Sequence, residues 1–263
     1  MADFVQIAKV FEDRVDGIDY YETRATIKLK SELQETLENE TRQLLFLIGV
    51  PGSGKSVFLH QLPKILRDYE VIGFNTPFFE PVDFVKTLIK RKCQTIKGHS
   101  LEELIQKAID LYSQSEGIVT IDEAQLLSKE MVELLRILAD SKAFWFLMAM
   151  HEHESRKILQ EPQFSSRLHK VLRMEPLESV EVVEYISKEL LKIGAYAFEK
   201  EISSRLGRYL YKLSHGNFRD LKKILNKMFL LMDCAVKSDN KKYQHPSKCL
   251  VTMAAIDGGI LAV

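Results

Sequence analysis

The sequence predicts an α/β protein with a parallel, helix-covered sheet of five strands, followed by a small all-α lid domain. Three observations predict it. Short apolar runs alternate with helically spaced segments over roughly 130 residues, the pattern of repeated strand–helix–strand units. A glycine-rich octet, GVPGSGKS, joins the first such run to the first such helix. Beyond Pro176 the apolar residues keep helical spacing only. The expected division is therefore an α/β domain over residues 1–176 and a helical domain over 177–263.

The elements follow in order. Residues 18–43 are polar with helical spacing, and Ile27, Leu29, Leu33 and Leu37 are expected on one face. Leu44–Ile48 reads as a buried strand. Val57–Leu66 reads as a helix that Pro63 should kink or shorten, because proline lacks an N–H and crowds the preceding turn. Val71–Phe74 is a second strand, Pro77 and Pro81 mark a loop, and Val82–Lys92 is helical. Leu101–Leu111 has Ser100 as its N-cap and Glu103 at the capping-box position. Gly117–Ile121 is a third strand and ends in Asp122-Glu123. A helix over Ser128–Leu138 follows. Ala143–Met150, apolar throughout, is a fourth strand with both faces covered, and Lys170–Met174 a fifth. Glu178–Leu191, Glu199–Leu213, Phe218–Ala235 and Cys249–Leu261 read as helices of the second domain.

Composition narrows the class. The 263 residues suffice for a sizeable core, and 46% apolar with 28% charged residues is ordinary globular usage. Lys+Arg and Asp+Glu both number 37, which argues against attachment to nucleic acid by bulk charge while leaving a local basic face open. Cys93, Cys234 and Cys249 are scattered without CxxC spacing, as expected of reduced cytosolic thiols. No apolar run approaches the ~20 residues that cross a bilayer, and the N-terminus lacks the basic-then-apolar order of a signal peptide. The expected location is cytoplasmic, with any place at the inner membrane a peripheral one.

The octet carries the first chemistry. Gly49, Val50, Pro51, Gly52, Ser53, Gly54, Lys55 and Ser56 fit G-x4-G-K-[ST], with Val57 opening the helix behind them. A polyphosphate bound there lies against backbone N–H groups at a helix N-terminus, and side chains on the turn would block it. Lys55 is expected to meet the β- and γ-phosphates of ATP. Ser56 is expected to offer its hydroxyl to Mg2+, a hard cation that takes oxygen ligands. The second element is GIVTIDEAQLL. Open α/β sheets bind ligands at the carboxyl ends of their strands. Asp122 is placed to hold the Mg2+, directly or through water, and Glu123 to act as general base on the attacking water.

With these residues in view, GVPGSGKS, IDEAQLL, FSSRLHKVLRMEPL and HGNFRDLKKIL together resemble the four signatures of an AAA+ ATPase. The resemblance extends to the ExeA-like group, itself similar to transposition ATPases such as TniB and to ATPases of the origin-recognition type. It implies that Arg167 is an arginine finger reaching the γ-phosphate on a neighbouring subunit, and that Arg219 is the sensor-2 arginine of the lid. His151 falls at the sensor-1 position, where this chain reads AMHEHES rather than the glycine and glutamine usual in that group. The resemblance further implies a homo-oligomer, hexameric or formed only with nucleotide. Its ATP turnover would drive or switch assembly of a secretion, pilus or DNA-uptake apparatus and engage the proteins of that system. The alternative partner is DNA, with the ATPase regulating a transposase or replication factor.

Other features have plainer readings. HEHE at 151–154 is not HExxH, lacks companions for a tetrahedral metal site, and reads as a polar loop after a strand. Phe144, Trp145 and Phe146 read as sheet core; His215 reads as a helix C-cap, with nucleotide contact beside Gly216 as the alternative; the basic stretch 237–248 reads as a solvated loop, with contact to DNA or lipid head groups as the alternative.

Overall fold

The computed structural model describes residues 3–13, 20–75, 80–93, 100–160 and 169–262, without the side chain of Lys157. The chain divides into two compact units, Thr26–Met174 and a second that joins residues 1–25 to 175–263. The expectation assigned residues 1–176 to one α/β domain; the structure instead groups the first 25 with the helices.

In the first unit the strands are β1 (Leu44–Gly49), β2 (Glu70–Phe74), β3 (Gly117–Ile121), β4 (Trp145–His151) and β5 (His169–Arg173). They form one sheet in the order β2-β3-β4-β1-β5, every neighbouring pair parallel. The apolar runs explain the order. β1 and β3 are buried along their whole length, and β4 at every residue but the last. That suits strands covered on both faces. The edge strands β2 and β5 mix buried positions with half-buried and exposed ones. Phe46, Phe144 and Phe146 are fully buried within this core, and Trp145 is 1% exposed, which agrees with the sheet-core reading of these aromatics.

The helices here are α2 (Arg24–Asn39), whose first two residues group with the other unit, α3 (Lys55–Ile65), α4 (Pro81–Lys92), α5 (Leu101–Tyr112), α6 (Lys129–Asp140) and α7 (Glu152–Gln160). Ser100 and Ser128 cap α5 and α6, their hydroxyls accepting from the N–H groups of Glu103 and Met131, each at 3.2 Å. α3 runs through Pro63 and ends two residues later, at Ile65. Ile27 is 54% exposed and does not share the buried face of Leu29, Leu33 and Leu37. Two residues turn a helix through about 200°, so positions 27 and 29 point in nearly opposite directions.

The helical unit contains α1 (Phe4–Val10), α8 (Ser179–Lys192), α9 (Tyr196–Glu201), α10 (Ser204–Ser214), α11 (Phe218–Lys237) and α12 (Lys248–Asp257). The expected single helix over Glu199–Leu213 is two. Ile202 turns its side chain into the core, and the Ser203 hydroxyl starts a new helix by accepting from the N–H of Leu206 at 3.3 Å. The last helix stops at Asp257, because Gly258 and Gly259 end it, Gly259 at φ 67°. α1 belongs here because Phe4, Ile7, Ala8 and Phe11 are buried in the same core as α11. Phe11 stacks on Phe229 at 5.9 Å between centroids, and Asn226 donates to the Ala8 carbonyl at 2.8 Å.

Phe11 is 1% exposed. Replacing it by alanine removes a filled aromatic position, and Phe11→Ala is expected to destabilise the helical unit by about 3–5 kcal/mol. Urea unfolding followed by far-UV circular dichroism checks this; an unchanged midpoint would show that α1 is dispensable to that core.

Candidate nucleotide site

The loop after β1 is built by close approach. A Cβ on Gly49 would lie 2.8 Å from the carbonyl oxygen of Met174 and 2.9 Å from Ser53 Oγ, so only glycine fits where β1 turns past the end of β5. Gly52 and Gly54 have φ of 79° and 102°, conformations that L side chains resist. Gly54 is also the N-cap of α3 and supplies no side-chain acceptor. The first-turn N–H groups of α3 therefore remain for a ligand, and the helix dipole favours an anion there. The Ser53 hydroxyl, in a residue only 2% exposed, has no hydrogen-bond partner among the described residues. A buried orphan beside a capless helix start is what a phosphate-binding loop requires.

Lys55, the first residue of α3, is 6% exposed. Its Nζ donates to the carbonyls of Gly49 at 2.8 Å and Val50 at 3.1 Å, and lies 3.3 Å from His151 Nδ1. An ammonium only donates, so this imidazole nitrogen takes the acceptor role. The other nitrogen, Nε2, then carries the hydrogen and faces Glu123 Oε2 at 3.3 Å. His151 thus links the lysine of the loop to the acid at the end of β3.

The strand order produces this link. β4 lies between β1 and β3, and its last residue, His151, is in register with Gly49. The polar loop expected for 151–154 is instead a strand end followed by the first turn of α7, where Glu152 and Glu154 complement the helix dipole.

Asp122 and Glu123 leave β3 together. The Asp122 N–H donates to Phe74 O at 3.0 Å, and Asp122 Oδ1 accepts from the N–H of Glu123 at 2.9 Å. Glu123 has φ 52°, a left-handed conformation uncommon for a non-glycine residue and typical of functional turns. Its Oε2 also accepts from the side-chain amide of Gln125. One carboxylate oxygen is thereby held by two donors, and Oε1 makes no hydrogen bond among the described residues. Ser56 is half-buried at the second position of α3, and Val57 follows it.

Of the residues expected at the site, the structure joins Lys55, His151 and Glu123 and sets Asp122 beside Glu123. Arg167 lies outside the described residues. Arg219 belongs to the helical unit, at the second position of α11, where its Nε donates to Asp13 Oδ2 at 2.7 Å. Asn217 caps that helix, accepting from the N–H groups of Arg219 and Asp220. Gln125 and Asp13 were not anticipated. Gln125, two positions after Glu123, was legible as a polar side chain within reach; Asp13, more than 200 residues from Arg219, carried no local signal.

Comparison with known proteins agrees with this geometry. Residues 37–159, from the end of α2 through β4 and nearly all of α7, match the family model of an AAA domain. Cdc6p from Pyrobaculum aerophilum superposes with a TM-score of 0.67 at 15% identity, covering 95% of this chain and 70% of that one. Drosophila ORC bound to DNA gives 0.68 at 12% identity over 99% of this chain and 67% of that one. The Thermotoga maritima RuvB Holliday junction branch migration motor gives 0.51 at 18%, over 89% and 68%. At these identities the likeness is one of fold, and the fold is that of P-loop AAA+ proteins. Comparison with curated proteins by sequence returned no match.

Because Gly49 is hemmed by main chain on one side and Ser53 on the other, Gly49→Ala should force the loop apart. The expected cost is about 1–3 kcal/mol, seen as a lowered melting temperature of the sheet unit. A melting temperature equal to that of the unchanged protein would mean the loop has room that these distances deny.

Proposed function

We propose that the protein hydrolyses ATP with Mg2+ at the loop Gly49–Val57 and the acids that follow β3. The observation that carries this reading is the bridge from Lys55 through His151 to Glu123. In that reading a phosphate-binding cation and a general base meet the two nitrogens of one imidazole.

The residues fit the ligand. The N–H groups of the loop and of the first turn of α3 would hold the phosphates, and Ser53 Oγ would find the partner it lacks. Ser56 and Asp122 would supply oxygen ligands to Mg2+, which when bound neutralises charge on the phosphate oxygens. Lys55 would exchange the carbonyls of Gly49 and Val50 for phosphate oxygens. Glu123, its Oε2 fixed by His151 and Gln125, would take a proton from the attacking water through Oε1. His151 is then a positioning residue in the place of sensor 1. Arg167 is assigned to the same reaction as an arginine finger from a neighbouring copy, and Arg219 to the nucleotide as sensor 2. For Arg219 this requires release from Asp13, and an exposed pair of this kind is worth no more than about 1 kcal/mol.

What the turnover serves is read as a DNA-associated process, supported by the DNA named with the ORC structure and the Holliday junction named with RuvB. The ExeA-like resemblance of the four motifs supports the other reading, assembly of a secretion, pilus or DNA-uptake apparatus. Stimulation of turnover by duplex DNA separates the two.

Calorimetry and phosphate release test the chemistry together. Lys55→Ala should abolish the heat of Mg-ATP binding. Glu123→Gln should keep that heat and lower turnover on the order of 10²–10⁴-fold, the usual contribution of a positioned base. Loss of binding in Glu123→Gln, or undiminished turnover, would remove Glu123 from the role. His151→Ala should lower kcat while leaving KM nearly unchanged; a rise in KM alone would make the imidazole a binding group.

A further inference from the structure

The neutral total charge conceals two segments with no acid at all. Residues 202–218 contain no Asp or Glu and carry Arg205, Arg208 and Lys212. Residues 240–256 run from Asn240 to Ile256 likewise and carry Lys241, Lys242 and Lys248. The fold of the helical unit brings them together. Lys248 Nζ sits 4.7 Å from the centre of the Tyr209 ring, and the Tyr209 hydroxyl lies 2.8 Å from Thr252 Oγ1. At the other end His245 meets Glu201 at 3.1 Å, so the loop before α12 reaches the end of α9, just before α10.

On α10 the cations occupy positions i, i+3 and i+7, one stripe of the helix, opposite the buried Leu206 and Leu210. All six are exposed. None makes an ion pair among the described residues. Some lysines elsewhere in the unit are paired, Lys227 with Asp257 and Lys237 with Asp233. The placement is unfavourable for the helices themselves. Arg205 and Lys248 stand in the first turns of α10 and α12, and neither turn contains an acid. Cations at helix N-termini oppose the dipole, whereas an external anion there is favoured by both.

We infer that the face formed by α10, the loop 240–247 and the start of α12 binds the phosphate backbone of DNA. Two guanidiniums suit phosphate oxygens, and the stripe on α10 spans about 10 Å of helix at 1.5 Å per residue. That length meets several charges of a duplex, which carries one per about 1.7 Å of its axis. Tyr209 and Tyr243, the latter 5.3 Å from Lys242 Nζ, interleave aromatic rings with the cations as on nucleic-acid surfaces. A membrane-binding face would instead need large apolar side chains pointing outward among the cations, and on α10 the leucines point inward. The inference rests on the DNA-associated half of the proposed function, and it does not involve the nucleotide site.

The test measures fluorescence anisotropy of a labelled random-sequence duplex against the full chain without nucleotide, over a salt series. The unchanged protein should bind with an affinity that falls steeply with salt. The triple variant Arg205→Ala, Arg208→Ala, Lys212→Ala should bind at least tenfold more weakly, with the log–log salt slope smaller by about 3, one per lost phosphate contact. Its Mg-ATP binding and basal turnover should not change, which also shows that it folds. The inference is overturned if the duplex does not bind, if the variant keeps affinity and slope, or if the protein sediments with phosphatidylserine vesicles and ignores DNA. Any of these results leaves the hydrolysis reading intact, because that reading is judged by calorimetry with Mg-ATP.

Discussion

The insertion of β4 between β1 and β3 is the constraint on which the site depends. A parallel sheet delivers its ligand groups at the carboxyl ends of its strands. If β1 and β3 were neighbours, Lys55 and Glu123 would face each other directly, and opposite charges would pair. With β4 between them, the two are spaced by one side chain, and that side chain is His151. The imidazole accepts on one side and donates on the other, so lysine and glutamate are linked without neutralising each other.

How much of this was legible in the sequence depends on how local each feature is. The glycine octet and the Asp-Glu pair are local, and their positions in the structure follow from strand ends that apolar runs already mark. The five strands read correctly because central strands buried on both faces are continuous apolar runs. Strand order is not local, so the residues alone gave no sign that His151 pairs with both Lys55 and Glu123, and HEHE read as a loop; only the resemblance put His151 at the sensor-1 position. The first helix shows the same limit. Phe4, Ile7 and Phe11 have helical spacing, yet nothing near them states that their partner is Phe229. The break at Ile202-Ser203 was legible, because a serine three residues before Leu206 is a cap signal, and the continuous apolar periodicity around it concealed the signal.

Charge follows the same logic. A net charge of zero argued against attachment to nucleic acid by bulk charge and left a local basic face open. Totals say little when acids and bases are segregated, and the helical unit segregates them. Some acids of the sheet unit are paired, as Glu40 with Lys170 and Glu133 with Arg136. The six cations of α10, the 240–247 loop and α12 are not.

The most direct test of the central claim is nitrogen NMR of His151 in isotope-labelled protein, with and without a non-hydrolysable ATP analogue and Mg2+. Without nucleotide the account predicts one protonated nitrogen, Nε2, and one lone-pair nitrogen, Nδ1. Addition of the analogue should shift Nδ1 strongly as Lys55 turns to the phosphates, while Nε2 keeps its proton toward Glu123. Two nitrogen signals that are alike without nucleotide, or that do not respond to saturating analogue, would contradict it.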